Sequence, residues 1–461
     1  MRKLLAALVL TTALVSAPLA QAETLSDALI SAYKTSNLLA QNEAVLRAAD
    51  EDAAVALSNL RPVVNFIAQG SWTKFNNELG DFQQNYPTPY YENTEGTGQL
   101  TASILIYAGG RGKIAVEVAH EAVLATRASL VSVEQQVLLD AVTAYVNLRL
   151  QQALLDLQNS SVDLIGQELQ AARDRFEVGE ITLTDVSQAE ARLAAGQAAV
   201  SAAEGNLLVA REVYKATIGH YPDRMSGLPG IPKTAKSKEE AQKVALASHP
   251  FIIQSQHQAK VADLQVEIAN AAFLPTINGQ ASGIYGYDGN GNFGVALNLT
   301  QPIYQGGGLS ALYRKALAEK AATDASVHQT AVTVAENVGR AWARLTTSNT
   351  SIAANEAQVT AAQKAFDGVS EEATLGARTT LDVLNAQLEL QTAQANVLQA
   401  RAEQYVAAYA LLSTMGLLTA DHLKLGIPTF DPEAYYNQVK NAPATSPQGA
   451  KLDRIMKSIG N

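Results

Sequence analysis

Cysteine is absent from all 461 residues, which excludes disulfides, thiolate metal sites and a lipid-modified N-terminal cysteine. Charge is sparse, at 17% of residues, and acidic in balance, with a formal net charge of -10, so nucleic acid is not an expected partner. Long hydrophobic runs are missing apart from residues 4–15, although 47% of residues are hydrophobic and the mean hydropathy is -0.01. That combination excludes both a bundle of membrane helices and a disordered chain. Proline is missing between Pro89 and Pro222 and between Pro302 and Pro428, so most of each interval is expected to be helix. The histidines (His120, His220, His249, His257, His328 and His422) are scattered, with no pair four residues apart. Nothing has the spacing of a zinc site or a nucleophile motif, so no catalytic site, metal or cofactor is expected.

What is present begins with a secretory signal over 1–22: Arg2 and Lys3, the apolar run, then Ala20-Gln21-Ala22 as a cleavage site. Beyond it the chain repeats itself. One offset separates Gly179 from Gly376, Asp185 from Asp382, Tyr145 from Trp342, Tyr107 from Tyr304, and Gly219 from Gly416. A slightly larger one separates Pro62 from Pro275, Ala28 from Ala241, and Gln41 from Gln254. A duplicated unit follows. The expected organisation is a signal (1–22), a first repeat (23–219), a linker (220–236), a second repeat (237–416) and a C-terminal tail (417–461) without periodicity, extended or mobile from residue 427.

Each repeat opens with an amphipathic helical stretch, over 24–60 and 240–273, that ends before Pro62 or Pro275. The period then changes to two. Val64, Phe66, Ala68, Gly70 and Trp72 alternate with polar or mixed neighbours, as do Leu100, Ala102, Ile104 and Ile106. In the second repeat Ile277, Gly279, Ala281, Gly283 and Tyr285 precede Phe293, Val295, Leu297 and Leu299, with a Gly-Asp-Asn turn between them. The first hairpin carries a longer polar connection, from Thr73 to Gly98, which marks a surface tip.

After Gly109-Gly110 and Gly306-Gly307-Gly308 the helical period returns, and a helix from Gly112 to Phe176 would be about 100 Å long. Seams stepping by three and four follow each Gly-centred turn. They run Val186, Ala189, Leu193, Gly196, Val200, Ala203, Leu207, Ala210, Tyr214, and Leu381, Leu384, Leu388, Gln391, Ala395, Leu398, Ala402, Tyr405. Long antiparallel helical hairpins with small residues at the seam are expected.

Strands of about ten residues are long enough to cross a bilayer when tilted. Four such strands cannot sit in lipid alone, because their two edges would expose unpaired backbone. Chains must therefore combine, with eight strands from two copies or twelve from three. The alternatives are a soluble sandwich, or a periplasmic coiled-coil adaptor or structural surface protein that lacks membrane-length strand pairs.

The order helix, proline, hairpin, Gly-Gly, long helix resembles the TolC family of Gram-negative outer-membrane channels over the whole mature chain. So do Phe176-Glu177-Val178-Gly179 and the run from Leu375-Gly376-Ala377-Arg378 through Asp382-Val383-Leu384-Asn385-Ala386. The resemblance implies a mainly α fold with transmembrane β: a long antiparallel α-helical barrel, with four strands per chain entering a trimeric twelve-stranded barrel. It also implies an outer-membrane location with the helical tunnel in the periplasm, and the role of exit duct for drug efflux or type I protein secretion. The partners implied are outer-membrane lipid, a periplasmic adaptor, and an inner-membrane pump or ABC exporter.

The same resemblance makes Thr184, Asp185, Arg378, Asp382 and Asn385 gate residues and makes the turns at Gly179 and Gly376 adaptor contacts. Arg378 would bond Asp185 on a neighbouring hairpin, and Asp382 would form an acidic ring. Asn385 stands where the family has a second acidic residue, and Ala373 where it has a tyrosine, so a less acidic and looser constriction is expected. The competing reading is local: a first-turn aspartate is stabilised by the helix dipole, and Thr184 or Thr380 could cap.

Overall fold

The computed structural model describes residues 22–76, 90–222, 224–444 and 446–459. The signal segment before Ala22 lies outside the described residues, as do Tyr86, Pro87 and Pro89 of the first loop.

Thr24 starts the first helix with a reciprocal cap, its hydroxyl accepting from the Asp27 N–H while the Asp27 carboxylate accepts from the Thr24 N–H. The stretch expected as a single helix is two, α1 (Leu25–Thr35) and α2 (Asn37–Ser58), because Ser36 is extended, with ψ of 109°. Strands β1 (Val63–Asn76) and β2 (Tyr90–Tyr107) follow. Their ladder runs as far as Asn76 opposite Tyr90, so part of the expected loop is strand: the polar residues continue the pairing. Next come α3 (Arg111–Glu177) and α4 (Leu183–Ile218).

The stretch expected as one helix before Pro275 is likewise two, α5 (Lys238–Ser248) and α6 (Pro250–Ala271). Pro250 has no N–H to give to a helix interior and takes the first position of a new one. Strands β3 (Thr276–Gly286) and β4 (Gly291–Thr300) meet in a tight turn, where Asp288 accepts from Asn290 and Gly289 takes φ of 84°. Then come α7 (Gly308–Thr374) and α8 (Thr380–Thr414). The two proline-free intervals thus hold α3 and α7, both of 67 residues. The tail is not extended: it contains α9 (Ala434–Val439) and α10 (Pro447–Ile459). The Arg61 guanidinium donates to the carbonyls of Asn441 and Ala442, and Tyr435 bonds Glu51, which ties the α9 segment down.

Two compact units divide the described chain, one from 22–37, 134–241 and 337–427, the other from 38–133, 242–336 and 428–459. In the first, α1 docks on α4, and the buried Tyr145 hydroxyl reaches the carbonyls of Glu23 and Ser226 at 3.0 and 3.1 Å. The segment around Met225 and Ser226 is thereby held by its backbone, with Glu23 and Met225 forming a bridge.

The second unit contains the sheet, antiparallel in the order β1-β2-β3-β4. Register sorts the two faces. Val64, Ala102, Ala281 and Val295 lie side by side, and next to them Phe66, Leu100, Gly283 and Phe293. On the other face Asn65, Thr101, Ser282 and Gly294 align. The expected alternation of β2 fails at one point: a bulge at Ile106 shifts Tyr107 opposite Ile277. Every residue of β4 is exposed, so among the described residues nothing covers either face of that strand. Among the described residues no helix is long and apolar enough to cross a membrane.

The α5–α6 junction carries a pH prediction. His249 is buried, and its Nδ1 accepts from the Phe251 N–H at 3.2 Å, so the cap requires an unprotonated Nδ1. Burial holds the imidazole below its ordinary value of 6.5. The unfolded chain then binds the extra proton, so the cap's contribution is complete above 6.5 and is lost as pH falls below it. We expect thermal melts at pH 7.5 and 5.5 to differ less in His249→Asn, an uncharged cap, than in the parent, by about 1 kcal/mol. Identical pH dependence in both would refute it.

Candidate functional site

Both Gly-centred turns lie in the first unit, and their backbones are built alike. At the end of α3, Gly179 takes φ of 80° and donates to Phe176 O, while Glu180 N donates to Arg175 O. At the end of α7, Gly376 takes φ of 78° and donates to Ala373 O, while Ala377 N donates to Glu372 O. A left-handed glycine closing the last carbonyls of a helix is what lets each chain reverse within five residues. The next helix then starts on a reciprocal cap. Thr182 and Asp185 form it at α4, and Thr379 and Asp382 at α8. The caps are therefore Thr182 and Thr379, not Thr184 or Thr380: Thr184 is exposed within α4, and Thr380 is buried.

These caps engage the two aspartates expected at the gate. Asp185 Oδ2 accepts from Thr182 N and Oγ1 at 3.0 and 2.8 Å, and Asp382 Oδ2 from Thr379 N and Oγ1 at the same distances. The Thr379 backbone N–H, then its hydroxyl, and more weakly the Arg378 charge, hold the Asp382 carboxyl below the usual carboxylate value. Arg378 donates from Nε to Glu372 Oε2 at 2.8 Å, an exposed pair that raises the guanidinium pKa further. Within this chain, then, Arg378 bonds its own turn and Asp185 bonds Thr182.

Side chains distinguish turns whose backbones agree. Ile181 occupies in the first turn the place that Arg378 has in the second, and it packs against Leu169, Val186, Ala189 and Leu384. Each turn also exposes one apolar residue beside its glycine, Val178 at 71% and Leu375 at 81%.

Asn385 is where the two helical hairpins of the chain meet. Its Oδ1 accepts from Arg192 Nη2 of α4 at 2.9 Å. Further along α8, Gln387 and Gln391 bond Ser161 and Gln158 of α3. A cleft of about 300 Å³ lies among these three helices, lined by Ile165, Arg192, Gly196, Leu384, Gln387 and Gln391. Sequence reading missed Arg192, Gln158, Ser161 and Gln387; a glutamine at a seam position, Gln391, was the available signal. The second seam itself needs correction. Of its eight residues only Leu384 and Ala402 are buried, and Leu388 is exposed. Alpha-8 instead packs on two sides, Leu390 and Ala393 against Ala362 of α7 and Leu384 against the first hairpin, and its many alanines satisfy several stripes equally well.

The family model described as outer membrane efflux protein matches residues 29–220 and 242–417. The outer membrane efflux protein BepC of Brucella suis is 34% identical over 445 residues, 95% of this chain and 94% of that protein. The outer membrane protein TolC of Escherichia coli is 25% identical over 345 residues, covering 69% of each. Among solved structures, CusC, described in terms of folding and transmembrane channel formation, superposes with a TM-score of 0.75 at 18% identity, over 85% of this chain and 91% of that one.

Proposed function

Because this chain belongs to the TolC family of outer membrane efflux proteins, and is an outer-membrane channel and not an enzyme, we propose that it acts as a passive homotrimeric exit duct. Its two repeats, 23–219 and 237–416, each give one strand pair to a shared barrel and one helical hairpin to a periplasmic tunnel. A periplasmic adaptor and an inner-membrane pump or exporter complete the path, and the pump selects the cargo.

One observation carries this reading: a four-stranded sheet with an apolar row across one face and two edges, β1 and β4, that pair with no other strand among the described residues. In hydrocarbon each unpaired backbone group costs several kcal/mol, so the edges require copies of the chain. The mixed face suits a water-filled lumen. A soluble adaptor with long hairpins would have no use for such a sheet.

In this reading the two turns are the gated end, and Thr184, Asp185, Arg378, Asp382 and Asn385 are the gate residues. Gly179 and Gly376, with the exposed Val178 and Leu375, offer backbone and apolar surface to an adaptor. Since a cation near a helix start opposes the helix dipole, Arg378 is held there by charge partners. Reconstituted in planar bilayers, the purified trimer is expected to conduct, and Arg378→Ser to conduct several-fold more. Unchanged conductance removes Arg378 from the gate, and a water-soluble monomer that never conducts removes the duct.

A further inference from the structure

The C-terminal segment is tied down along α2 in one direction. The Tyr435 hydroxyl donates to Glu51 Oε1 of α2 at 2.6 Å, while Arg127 of α3 pairs with Glu433 at 3.3 Å and lies over the Tyr436 ring. Past the end of α2, the Arg61 guanidinium donates to the carbonyls of Asn441 and Ala442 at 2.7 and 2.8 Å. Ala442 is left-handed there, with φ of 42°, which an alanine adopts only where its surroundings hold it. From Tyr435 to Ala442 the tail therefore advances as α2 does, toward β1.

Arg61 stands just before Val63, where β1 begins. All four strands join their helices at this end of the sheet: α2 enters β1, β2 leaves to α3, α6 enters β3 and β4 leaves to α7. In a barrel it is the periplasmic end, level with the lipid headgroups. The chain from Ala442 to Pro447, where α10 begins, spans at most about 18 Å. So α10, of 13 residues, starts within reach of the foot of the sheet.

This helix differs in character from the rest of the chain. Its sequence sets Leu452, Ile455, Met456 and Ile459 at the spacing of one helical face, and carries Lys451, Arg454 and Lys457 against a single acid, Asp453, in a chain of net charge -10. Ile455 is 54% exposed, more than a helix laid on its own chain by that face would leave it, and Lys451 and Arg454 are exposed as well. An amphipathic helix with basic residues on its polar face settles at the boundary of headgroups and acyl chains, and its charge favours anionic lipid.

We propose that α10 lies on the periplasmic surface of the outer membrane, its apolar side at the headgroup boundary and Lys451, Arg454 and Lys457 on anionic phospholipid headgroups. Each chain thereby carries a peripheral anchor beside the foot of β1. This placement rests on the reading of the sheet as part of an outer-membrane barrel.

Because the chain lacks cysteine, Ile455→Cys accepts a single environment-sensitive fluorophore, and the labelled full-length trimer is placed in bilayers of phosphatidylglycerol and phosphatidylcholine. Nitroxide-bearing lipids are expected to quench the label several-fold more than aqueous acrylamide does. That lipid quenching is expected to fall several-fold in phosphatidylcholine alone, and again when Lys451→Glu, Arg454→Glu and Lys457→Glu are added. Stronger quenching by acrylamide would put α10 in water, and quenching by neither would put it against protein, its own chain or a second copy. Both outcomes overturn the anchor, as does lipid quenching indifferent to charge reversal. A Val295→Cys label in the same bilayers keeps the two readings apart. If lipid quenches the Val295 label and not the Ile455 label, the anchor alone is overturned; if lipid leaves the Val295 label untouched, the barrel falls and the anchor with it.

Discussion

Val295→Arg is expected to abolish accumulation of the trimer in the outer membrane, while Asn298→Arg in the same strand is expected to be tolerated. Val295 is 74% exposed at the middle of β4, in the row it shares with Val64, Ala102 and Ala281. Asn298 points to the other face, beside Asn278. If the apolar row meets lipid, an arginine at mid-depth costs about 2–4 kcal/mol in each chain, and assembly multiplies the penalty by the number of copies. On the lumen side the same charge meets water. Outer-membrane fractionation with unheated and heated gels reads both variants. Equal trimer yields would mean that the row does not face hydrocarbon, and the barrel would have to be abandoned.

Gly219→Ala is expected to destabilise the first unit by about 2–4 kcal/mol, far more than the same change at an open glycine. Gly219 ends α4 with φ of 99°, a left-handed conformation that alone costs an L-residue about 1–2 kcal/mol. A Cβ there would also lie 2.7 Å from Thr35 Oγ1 and 2.9 Å from Thr35 Cβ. Thr35 cannot yield cheaply, because its hydroxyl lies 2.9 Å from both Ser31 O and Ile218 O, and Ser31 donates to the same Ile218 carbonyl. These bonds join the end of α1 to the end of α4. Melting of the helical signal in detergent measures the loss, with Gly230→Ala as control, since a Cβ at Gly230 meets nothing within 4 Å. A Gly219→Ala protein that melts with the control would show that the α1–α4 junction is not needed for stability.

Much of the fold is legible in the chain because its signals are local. Proline-free intervals become α3 and α7, alternating runs become β1 to β4, and the Asp288-Gly289-Asn290 turn closes its hairpin as expected. The departures within the helical and strand runs share a cause. The breaks at Ser36 and His249, the bulge at Ile106 and the longer reach of β1 and β2 interrupt or extend a period without changing its average, and averages are what pattern reading detects. At the turns, Thr182 and Thr379 lie three residues before an aspartate, and this local spacing, which Thr184 and Thr380 lack, is what makes them the caps.

By itself, then, the order of residues determined the long helices α3 and α7, the four strand runs, where the duplicated turns fall, and which face of each strand is apolar, since each depends on neighbours a few positions apart. Only tertiary structure decided that Asn385 meets Arg192, that Gln387 and Gln391 reach Ser161 and Gln158, and that Ile181 enters a core while Arg378 remains outside. Those pairings depend on the register of α8 against α3 and α4, and a seam of alanines and glycines offers several registers of nearly equal packing, which only the assembled polar contacts tell apart.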